Sequence, residues 1–261
     1  MPELAEVEVG RKVAASALEG RRIIRVVTAE DRIVFSGVAP STFARRIRGR
    51  VVERVHRKGK LIWFEMDGGP WPSFHFGMTG AFRVPDDQPG GQVVRLATGP
   101  RPAAEWPPRF AKVHMFADDG AELVMTNARR LGRIRLHADL SNERPFAGLG
   151  FDPLLEPPTE AEFTAVLSKR RGPIKAVLMD QKVAAGIGNW LADEILYQSG
   201  VDPRRPARDL RPAEVRRVRA AMVRIVKRAV EVDAQSARFP RAWLFHRRWG
   251  KVEGQCTTKG E

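Results

Sequence analysis

The spacing of apolar residues changes near Leu140, and this change constrains the fold more than any other feature of the sequence. Before it, short segments rich in β-branched and aromatic residues alternate with turn signals such as Asp67-Gly68-Gly69, which is typical of a sandwich or barrel. An amphipathic helix is predicted ahead of them, from Glu3 to Leu18, with Gly20 as its C-terminal cap. The predicted strands are Ile23 to Val27, Ile33 to Phe35, Val51 to Val55, Leu61 to Met66, Ser73 to Met78, Ala81 to Val84, Val113 to Phe116, Glu122 to Met125 and Ile134 to Leu136.

After the change, apolar residues recur every three or four positions, which predicts helices. Thr159 and Glu162 have the spacing of a capping box, and a long helix is predicted from Pro212 to about Val232. Its apolar stripe, Val215, Val218, Met222, Ile225 and Ala229, is predicted to be core. The arginines opposite that stripe, Arg216, Arg217, Arg224 and Arg228, are predicted to face solvent or a ligand.

These patterns predict an α+β fold with two domains. Residues 1–140 form an N-terminal helix and an antiparallel β-sandwich, and residues 141–158 form a polar, proline-rich linker. Residues 159–261 form a helical domain. Gln88 to Pro108, rich in glycine and proline, is predicted to be an exposed loop.

The charge of the chain indicates a polyanionic partner, and nucleic acid is the usual one. Lys and Arg number 45 against 31 Asp and Glu, which gives a net charge of +14 and a pI of about 10.9. No long apolar run and no signal peptide is apparent, so a membrane partner is not predicted and the expected location is the cytoplasm. The single cysteine, Cys256, and five scattered histidines predict no disulfide and no structural metal.

The N-terminus offers a nucleophile. Removal of Met1 would leave Pro2 with a free secondary amine, which can attack an electrophilic carbon and form a charged imine. Glu3 lies beside it and can exchange the protons that such chemistry requires. On position alone, the simpler interpretation is that Pro2 pre-organises a helix start and that Glu3 favours the positive end of the helix dipole.

A second candidate site lies in the helical half. Gly186 and Gly188 bracket a tight turn, and Asn189 is predicted to be the N-cap of a helix that ends near Gly200. Free N–H groups at such a start bind phosphate, and Lys175 on the preceding helix can add charge. The alternative is that the glycines form only a turn and that Asn189 is only a cap.

The motifs of the chain, taken together, resemble those of the formamidopyrimidine-DNA glycosylase and endonuclease VIII-like family. The resemblance runs from Pro2 to about Gly250. The matching segments are PELAEVE, HRKGKLIWFEM, HFGMTGAF, NARRLGRIRL and IKAVLMDQKVAAGIGNWLADEILYQ, the last resembling the helix-two-turn-helix element of that family. The segments EWPPRFAKV and VDAQSARFPRAWLFH, with the lack of further cysteines, resemble the plant-type branch, whose C-terminal hairpin carries no zinc.

The resemblance implies a catalytic role for three residues. Pro2 attacks the anomeric carbon of a damaged nucleotide, Glu3 protonates or deprotonates the sugar, and Lys60 assists. The base leaves, and the resulting imine acidifies the neighbouring C–H, so that β- and then δ-elimination break the strand. An imine is itself an electron sink, so no cofactor is expected. Without the resemblance, Lys60 would be interpreted as a surface lysine on a basic strand.

Three further residues match positions that, in the family the chain resembles, fill the gap left in the DNA by an extruded base. These are Met78, Arg129 and Leu131. Met78 is a deformable wedge and Arg129 can pair with the orphaned base, whereas Leu131 replaces the usual phenylalanine and Ala128 the usual proline. Core packing is the alternative for Met78 and Leu131. Phosphate contacts are expected from Arg129, Arg170, Lys175 and Asn189, with Arg247, Arg248 and Lys251 as helpers.

The resemblance implies a C-terminal hairpin whose arginine grips the phosphates around the flipped nucleotide. This chain ends at Lys259-Gly260-Glu261, where that hairpin should start. The hairpin is therefore predicted to be truncated and metal-free, either because the sequence is a shortened version of a longer protein or because the protein binds DNA without the arginine.

The leading hypothesis is a base-excision repair glycosylase and abasic-site lyase acting on oxidised or ring-opened bases in double-stranded DNA. It is expected to be a monomer associated with the nucleoid. The short segment between Val232 and His246 leaves little room for the loop that caps 8-oxoguanine in bacterial relatives, so the resemblance implies a preference for ring-opened purines, further-oxidised guanine or abasic sites. One alternative is a non-catalytic binder of damaged DNA, against which the joint presence of Pro2, Glu3 and Lys60 argues. Another is a ribosome-associated or topoisomerase-like protein, which does not explain the N-terminus.

Overall fold

The first helix begins almost at the start of the chain. A computed structural model describes residues 1–85, 105–140 and 142–247. In it, helix α1 (Leu4–Leu18) follows Glu3, its N-cap, and a capping box closes its first turn because the Glu6 carboxylate accepts a hydrogen bond from the N–H of Glu3 at 3.0 Å. The helix buries residues along most of its length, so it lies inside the molecule.

Two four-stranded antiparallel sheets follow α1, as the predicted sandwich requires. Their orders are β1-β6-β7-β5 and β2-β3-β4-β8. The strands are β1 (Ile23–Thr28), β2 (Val52–Lys58), β3 (Leu61–Met66), β4 (Trp71–His75), β5 (Ala81–Arg83), β6 (Ala111–Ala117), β7 (Glu122–Thr126) and β8 (Arg133–His137). A cluster of rings that includes Phe64, Phe74 and Phe82 packs between the sheets and forms much of their core.

Two local predictions for this half are wrong. Ile33 to Phe35 is a turn and not a strand, because the carboxylate of Asp31 accepts the N–H groups of Ile33 and Val34 at 3.2 and 3.3 Å. A second helix, α2 (Pro40–Ile47), was not predicted; Pro40 stands at its first turn and Phe43 and Ile47 form its buried side. Most of the predicted loop Gln88 to Pro108 lies outside the described residues.

Four helices form the second half, as predicted. They are α3 (Glu160–Ser168), α4 (Ile174–Met179), α5 (Asn189–Ser199) and α6 (Pro212–Glu231). Thr159 and Glu162 form the predicted capping box at α3, and Gly200 ends α5 in the left-handed conformation with φ of 64°. The predicted apolar stripe of α6 is buried, and it packs against α5 and α1.

Buried ions join the two halves. The guanidinium of Arg57, on β2, donates to Glu8 of α1 at 2.8 Å and to Asp152 at 2.6 Å, and neither the Arg57 nor the Asp152 side chain is exposed. Asp152 also accepts the N–H of Gly59 at 2.7 Å. Asp152 falls within the linker predicted at 141–158, so this part of the linker is anchored to the first half; the domain boundaries themselves stay a prediction.

No helix among the described residues is long and apolar enough to cross a membrane. The end of the predicted hairpin, including Arg248, Lys251 and Cys256, lies outside those residues.

Candidate active site

The N-terminus of the chain lies against the turn that precedes α5. The N–H of Leu4 donates to the carbonyl of Gly186 at 3.0 Å, and a Cβ added to Gly186 would lie 2.8 Å from the Leu4 side chain. Gly186 has φ of 102°, a conformation open to glycine and strained for other residues. The two glycines that were predicted to allow a close backbone approach therefore allow α1 itself to approach.

The carboxylate of Glu3 occupies the N-terminus of α5. It accepts hydrogen bonds from the N–H groups of Gly188 and Trp190, each at 2.9 Å, and from that of Leu191 at 3.1 Å. A Cβ on Gly188 would lie 2.3 Å from the Glu3 carboxyl carbon, so only glycine leaves room for this contact. The N-cap of α5 is Gly188, and the prediction that Asn189 would cap it is wrong because Glu3 supplies the capping oxygens from outside the helix.

Burial gives Glu3 and its neighbour Glu6 perturbed acidities. Burial raises the pKa of Glu3, against the opposing effect of the N–H groups of Trp190, Leu191 and Gly188 and of the charge on Lys60. Burial and the nearby Glu3 raise the pKa of Glu6 to about 7. Two carboxyl groups with raised pKa values thus lie close to Pro2, which is partly exposed.

Lys60 reaches the same place from the turn between β2 and β3. Its side chain is mostly buried, and its ammonium donates to the carbonyl of Ile187 at 3.1 Å. Burial lowers the pKa of Lys60, while the charges of Glu3 and Glu6 oppose that shift. The alternative that Lys60 is a surface lysine is therefore wrong.

Lys60, Ile187 and Gly188 border a cleft of about 1050 Å³ between the two halves. Six of its lining residues are Lys60, His75, Leu131, Arg135, Gln181 and Gly188. Gln181 was missed in the sequence, although it lies in a segment that carried the resemblance. Its amide donates to the carbonyl of Ile187 at 2.9 Å and accepts the N–H of Gly186 at 2.9 Å, so it fixes the backbone that positions Glu3 and Lys60.

The three predicted wedge residues lie on two neighbouring loops. Met78 and Leu131 are 40% and 45% exposed, which excludes core packing for both, and Arg129 is exposed as well. Asn127, which the sequence analysis missed, joins the loops: its amide donates to the carbonyl of Phe76 at 2.8 Å and accepts the N–H of Gly132 at 3.1 Å. The structure thus brings the three side chains to one exposed edge.

Arg130, which follows Arg129 in the loop between β7 and β8, is paired with Asp31. Arg130 has φ of 55° and makes two hydrogen bonds to Asp31, at 2.9 and 3.0 Å. Lys112 donates to the same carboxylate at 2.8 Å, and these cations hold the pKa of Asp31 well below its usual range. The pair anchors the loop that presents Arg129 and Leu131.

The predicted phosphate ligands lie on and around α4 and α5. Asn189 is exposed at the first position of α5, beside Gly188 in the cleft. Lys175 pairs with Asp193 at 2.6 Å, and Arg170 lies 3.7 Å from Asp180. Both cations therefore carry an acidic neighbour, which an incoming phosphate would have to displace. Within the described ranges, no group of three His, Cys, Asp or Glu residues has an arrangement that could hold a metal ion.

Comparison with known proteins agrees with this geometry. Residues 1–134 match the family model of the formamidopyrimidine-DNA glycosylase N-terminal domain, and residues 149–241 match that of its H2TH domain. A formamidopyrimidine-DNA glycosylase of Arabidopsis thaliana is 40% identical over 262 residues, which cover 100% of this chain and 66% of that protein, just under two thirds of its length. One from Moorella thermoacetica is 35% identical, covering 91% of this chain and 81% of the other.

Solved structures show the same fold. The MutM (Fpg) protein of Thermus thermophilus is 31% identical with a TM-score of 0.70, over 88% of this chain and 76% of that one. A Lactococcus lactis formamidopyrimidine-DNA glycosylase, crystallised non-covalently bound to DNA containing an abasic site, has a TM-score of 0.74 at 22% identity, over 88% of this chain and 82% of that one. The long match to the Arabidopsis protein agrees with the plant-type resemblance. The chain belongs to the formamidopyrimidine-DNA glycosylase family.

Proposed function

We propose that this chain excises damaged bases from double-stranded DNA and cleaves the resulting abasic site through an imine at Pro2. Members of the family are DNA glycosylases with abasic-site lyase activity. The observation that carries the proposal for this chain is the buried Glu3 carboxylate, which three N–H groups hold beside Pro2 at the edge of a cleft. If Glu3 served only as the N-cap of α1, its carboxylate would not need three hydrogen bonds from the start of α5.

In the proposed reaction, the Pro2 nitrogen, freed by removal of Met1, bonds to the anomeric carbon while the bond from that carbon to the base breaks. Glu3 donates or accepts the proton that opens the sugar; burial raises the pKa of its carboxyl group, which favours the protonated form. The iminium then withdraws electrons, so loss of the proton on the adjacent carbon expels one phosphate oxygen, and loss of a second proton farther along the sugar chain expels the other. Lys60 assists as a cation held beside Glu3.

Extrusion of the base leaves a gap in the duplex, and the exposed edge of Met78, Arg129 and Leu131 supports their proposed role in filling it. We propose phosphate contacts for Asn189, Lys175 and Arg170, the latter two after exchange of their acidic neighbours. Asn189 is the best supported of these because it is exposed beside the cleft residue Gly188.

A cavity of about 170 Å³ lies on the other side of Pro2, bordered by Glu6, Phe76 and Ala234. We propose that it receives the extruded base. Ala234 belongs to the segment between Val232 and His246. The shortness of this segment supports a preference for ring-opened purines, further-oxidised guanine or abasic sites. Excision of formamidopyrimidine and of 8-oxoguanine from matched duplexes tests this preference, and equal rates would contradict it.

Borohydride trapping on a duplex with one abasic site tests the imine. Reduction should yield a covalent complex with the processed protein and none with a version that retains Met1, whereas Pro2→Gly, which keeps a primary N-terminal amine, should give the complex more slowly. Glu3→Gln should bind the same duplex and give a complex at a much lower rate. Binding without any trapped complex or strand cleavage would instead support the non-catalytic alternative, which the family's activity does not favour. We further propose that the protein acts as a monomer in the cytoplasm, on nucleoid DNA.

A further inference from the structure

The outer face of the second sheet carries cations that the proposed chemistry does not use. In the antiparallel pair β4 and β8, His75 lies opposite Arg133, and Ser73 lies opposite Arg135. Residues opposite each other, and residues two apart along a strand, project from the same face. His75, Arg133 and Arg135 accordingly line the cleft together with Lys60.

Arg135 differs from its neighbours Arg130 and Arg133 because its guanidinium has no acceptor among the residues that the structure describes. Arg130 is paired with Asp31, and Arg133 donates to the carbonyls of Arg130 and Gly132 at 3.3 and 2.6 Å. Arg135 is partly buried, yet it makes no hydrogen bond or ion pair with any residue that the structure describes. Burial and the neighbouring Arg133 lower its pKa, which shows that the free protein disfavours its charge.

The carboxylates of this face are already engaged. Glu143 accepts from His137 at 2.8 Å and from the N–H groups of Ala138 and Asp139, each at 3.0 Å. Glu65 accepts from His56 at 2.6 Å. Among the described residues that line the cleft there is no Asp or Glu. The described lining of the cleft therefore offers no carboxylate to neutralise Arg135, and the space beside it is open to a bound anion.

His75 adds a donor to the same wall. Its Nδ1 accepts the N–H of Gly77 at 3.1 Å, so the hydrogen of the neutral ring is on Nε2. Burial and the charges of Lys60, Arg135 and Arg133 lower the pKa of His75 to about 4. The ring is neutral at pH 7, and the pKa of His75 depends on the charge of any group that binds beside it.

We propose that Arg135, with Arg133 beside it, binds a backbone phosphate of the DNA strand that enters the cleft. The inference rests on the proposed function and deepens it, because it assigns a phosphate contact on β8 that is separate from the residues of α4 and α5. A guanidinium matches a phosphate well because its planar set of N–H donors can engage two oxygens at once.

The first test is the salt dependence of binding to a duplex with a stable abasic analogue. Relative to the wild type, Arg135→Gln should lose about tenfold in affinity at 0.15 M salt. The slope of log K against log salt should become shallower by about 0.9, the value of one lost phosphate contact. The matched control is Arg46→Gln, which makes the same charge change at an exposed position of α2 away from the cleft and should leave the slope unchanged. An unchanged slope in Arg135→Gln would overturn the proposal.

The second test separates a phosphate from a base edge. Single phosphates of the duplex are replaced, one at a time, by uncharged methylphosphonates. The wild type should lose affinity at the contacted phosphate, and Arg135→Gln should lose much less there while responding normally elsewhere. If the variant responds like the wild type at every position, Arg135 contacts a base or nothing, and the proposal is wrong.

Thermal unfolding of the free protein distinguishes a binding role from a structural one. Removing a partly buried cation without an acceptor should raise the Tm, whereas removing a structural arginine would lower it. Inorganic phosphate should raise the Tm of the wild type more than that of Arg135→Gln; equal shifts would count against the site. None of these measurements requires the protein to react with DNA. A wild type that binds as expected but forms no imine would therefore refute the proposed function without contradicting the phosphate site.

Discussion

Glu3 is held by the backbone of a distant helix, and this arrangement explains how one side chain can serve both the fold and the chemistry. The N–H groups of Gly188, Trp190 and Leu191 stabilise its charged form, while burial stabilises its neutral form. The two effects oppose each other, and burial is the larger, so the net effect is a raised pKa. Its orientation is fixed by three hydrogen bonds and does not have to be found during the reaction.

Gly188→Ala should disrupt this arrangement without replacing any of the groups that are proposed to react. The added Cβ would lie 2.3 Å from the Glu3 carboxyl carbon, so the carboxylate must move. A shift of about 1 Å at a catalytic group costs roughly 100-fold in rate. Single-turnover cleavage of abasic-site DNA at saturating enzyme measures the loss. Gly172→Ala is the control, since its Cβ would meet nothing within 4 Å; equal rates for the two variants would contradict the argument.

Glu6 should make stability depend on pH in a defined window. Its pKa rises from 4.5 to about 7 in the folded protein, so the folded state binds this proton more tightly than the unfolded state. The contribution of the group to stability is therefore complete below about pH 4.5 and is lost as the pH rises through about 7. Glu6→Gln keeps an acceptor for the Glu3 N–H and cannot titrate.

The measurement is the free energy of unfolding of the wild type and of Glu6→Gln between about pH 4 and pH 8. We expect the wild type to lose stability relative to the variant as the pH rises through this window. Glu3 is present in both proteins, so its own titration largely cancels in the comparison. A difference that stays constant with pH would show that Glu6 titrates at its ordinary pKa.

At the scale of elements, the sequence predicts regular structure well and misses what single polar contacts decide. Eight of nine predicted strands and the long helices are present, because their apolar spacing is repeated over several residues. Ile33 to Phe35 has the composition of a strand. It forms a turn because the carboxylate of Asp31 accepts hydrogen bonds from its backbone N–H groups. The short helix α2 buries only Pro40, Phe43 and Ile47, which is too few positions to define a helical period.

In the candidate site, too, local patterns could be predicted from the sequence and single polar contacts could not. Pro2, Glu3 and Lys60 were predicted because the motifs around them resemble those of a family, and their catalytic roles stay a proposal. The capping of α5 by Glu3 was not, because the two groups are separated by 185 residues or more and no local pattern links them. For the same reason Asn127 and Gln181 were missed: each acts through backbone groups, which carry no signal in the sequence.

The two wedge loops should depend on Asn127. Its replacement by alanine leaves the carbonyl of Phe76 and the N–H of Gly132 without their partner in a buried position. Each unsatisfied group costs about 1–3 kcal/mol, so Asn127→Ala should lower the free energy of unfolding by roughly 2–6 kcal/mol. Urea denaturation measures this, and Asn142→Ala, which removes an exposed amide, serves as control. A loss below about 1 kcal/mol would show that solvent replaces the Asn127 contacts.

At the scale of the whole molecule, the ion group Glu8, Arg57 and Asp152 ties the sheets to the helical half. Arg57→Met should destabilise the protein by about 3–5 kcal/mol, because it leaves Asp152 buried without its counter-ion. Arg54→Met, on the same strand and exposed, should have little effect. Chemical denaturation of both variants measures the difference, and similar losses would mean that the buried ions contribute no more than a surface arginine.

The contact between Glu3 and α5 also has a consequence for how the protein is made. The nucleophile is translated early, and the backbone that positions its acid–base partner is translated at least 185 residues later. At roughly 5–20 residues per second, this delay lasts about 10–40 s. Under the proposed function, a nascent chain with a free Pro2 would therefore have no organised catalytic centre during that time, and the protein would become able to cut DNA only after its helical half has been synthesised and has docked.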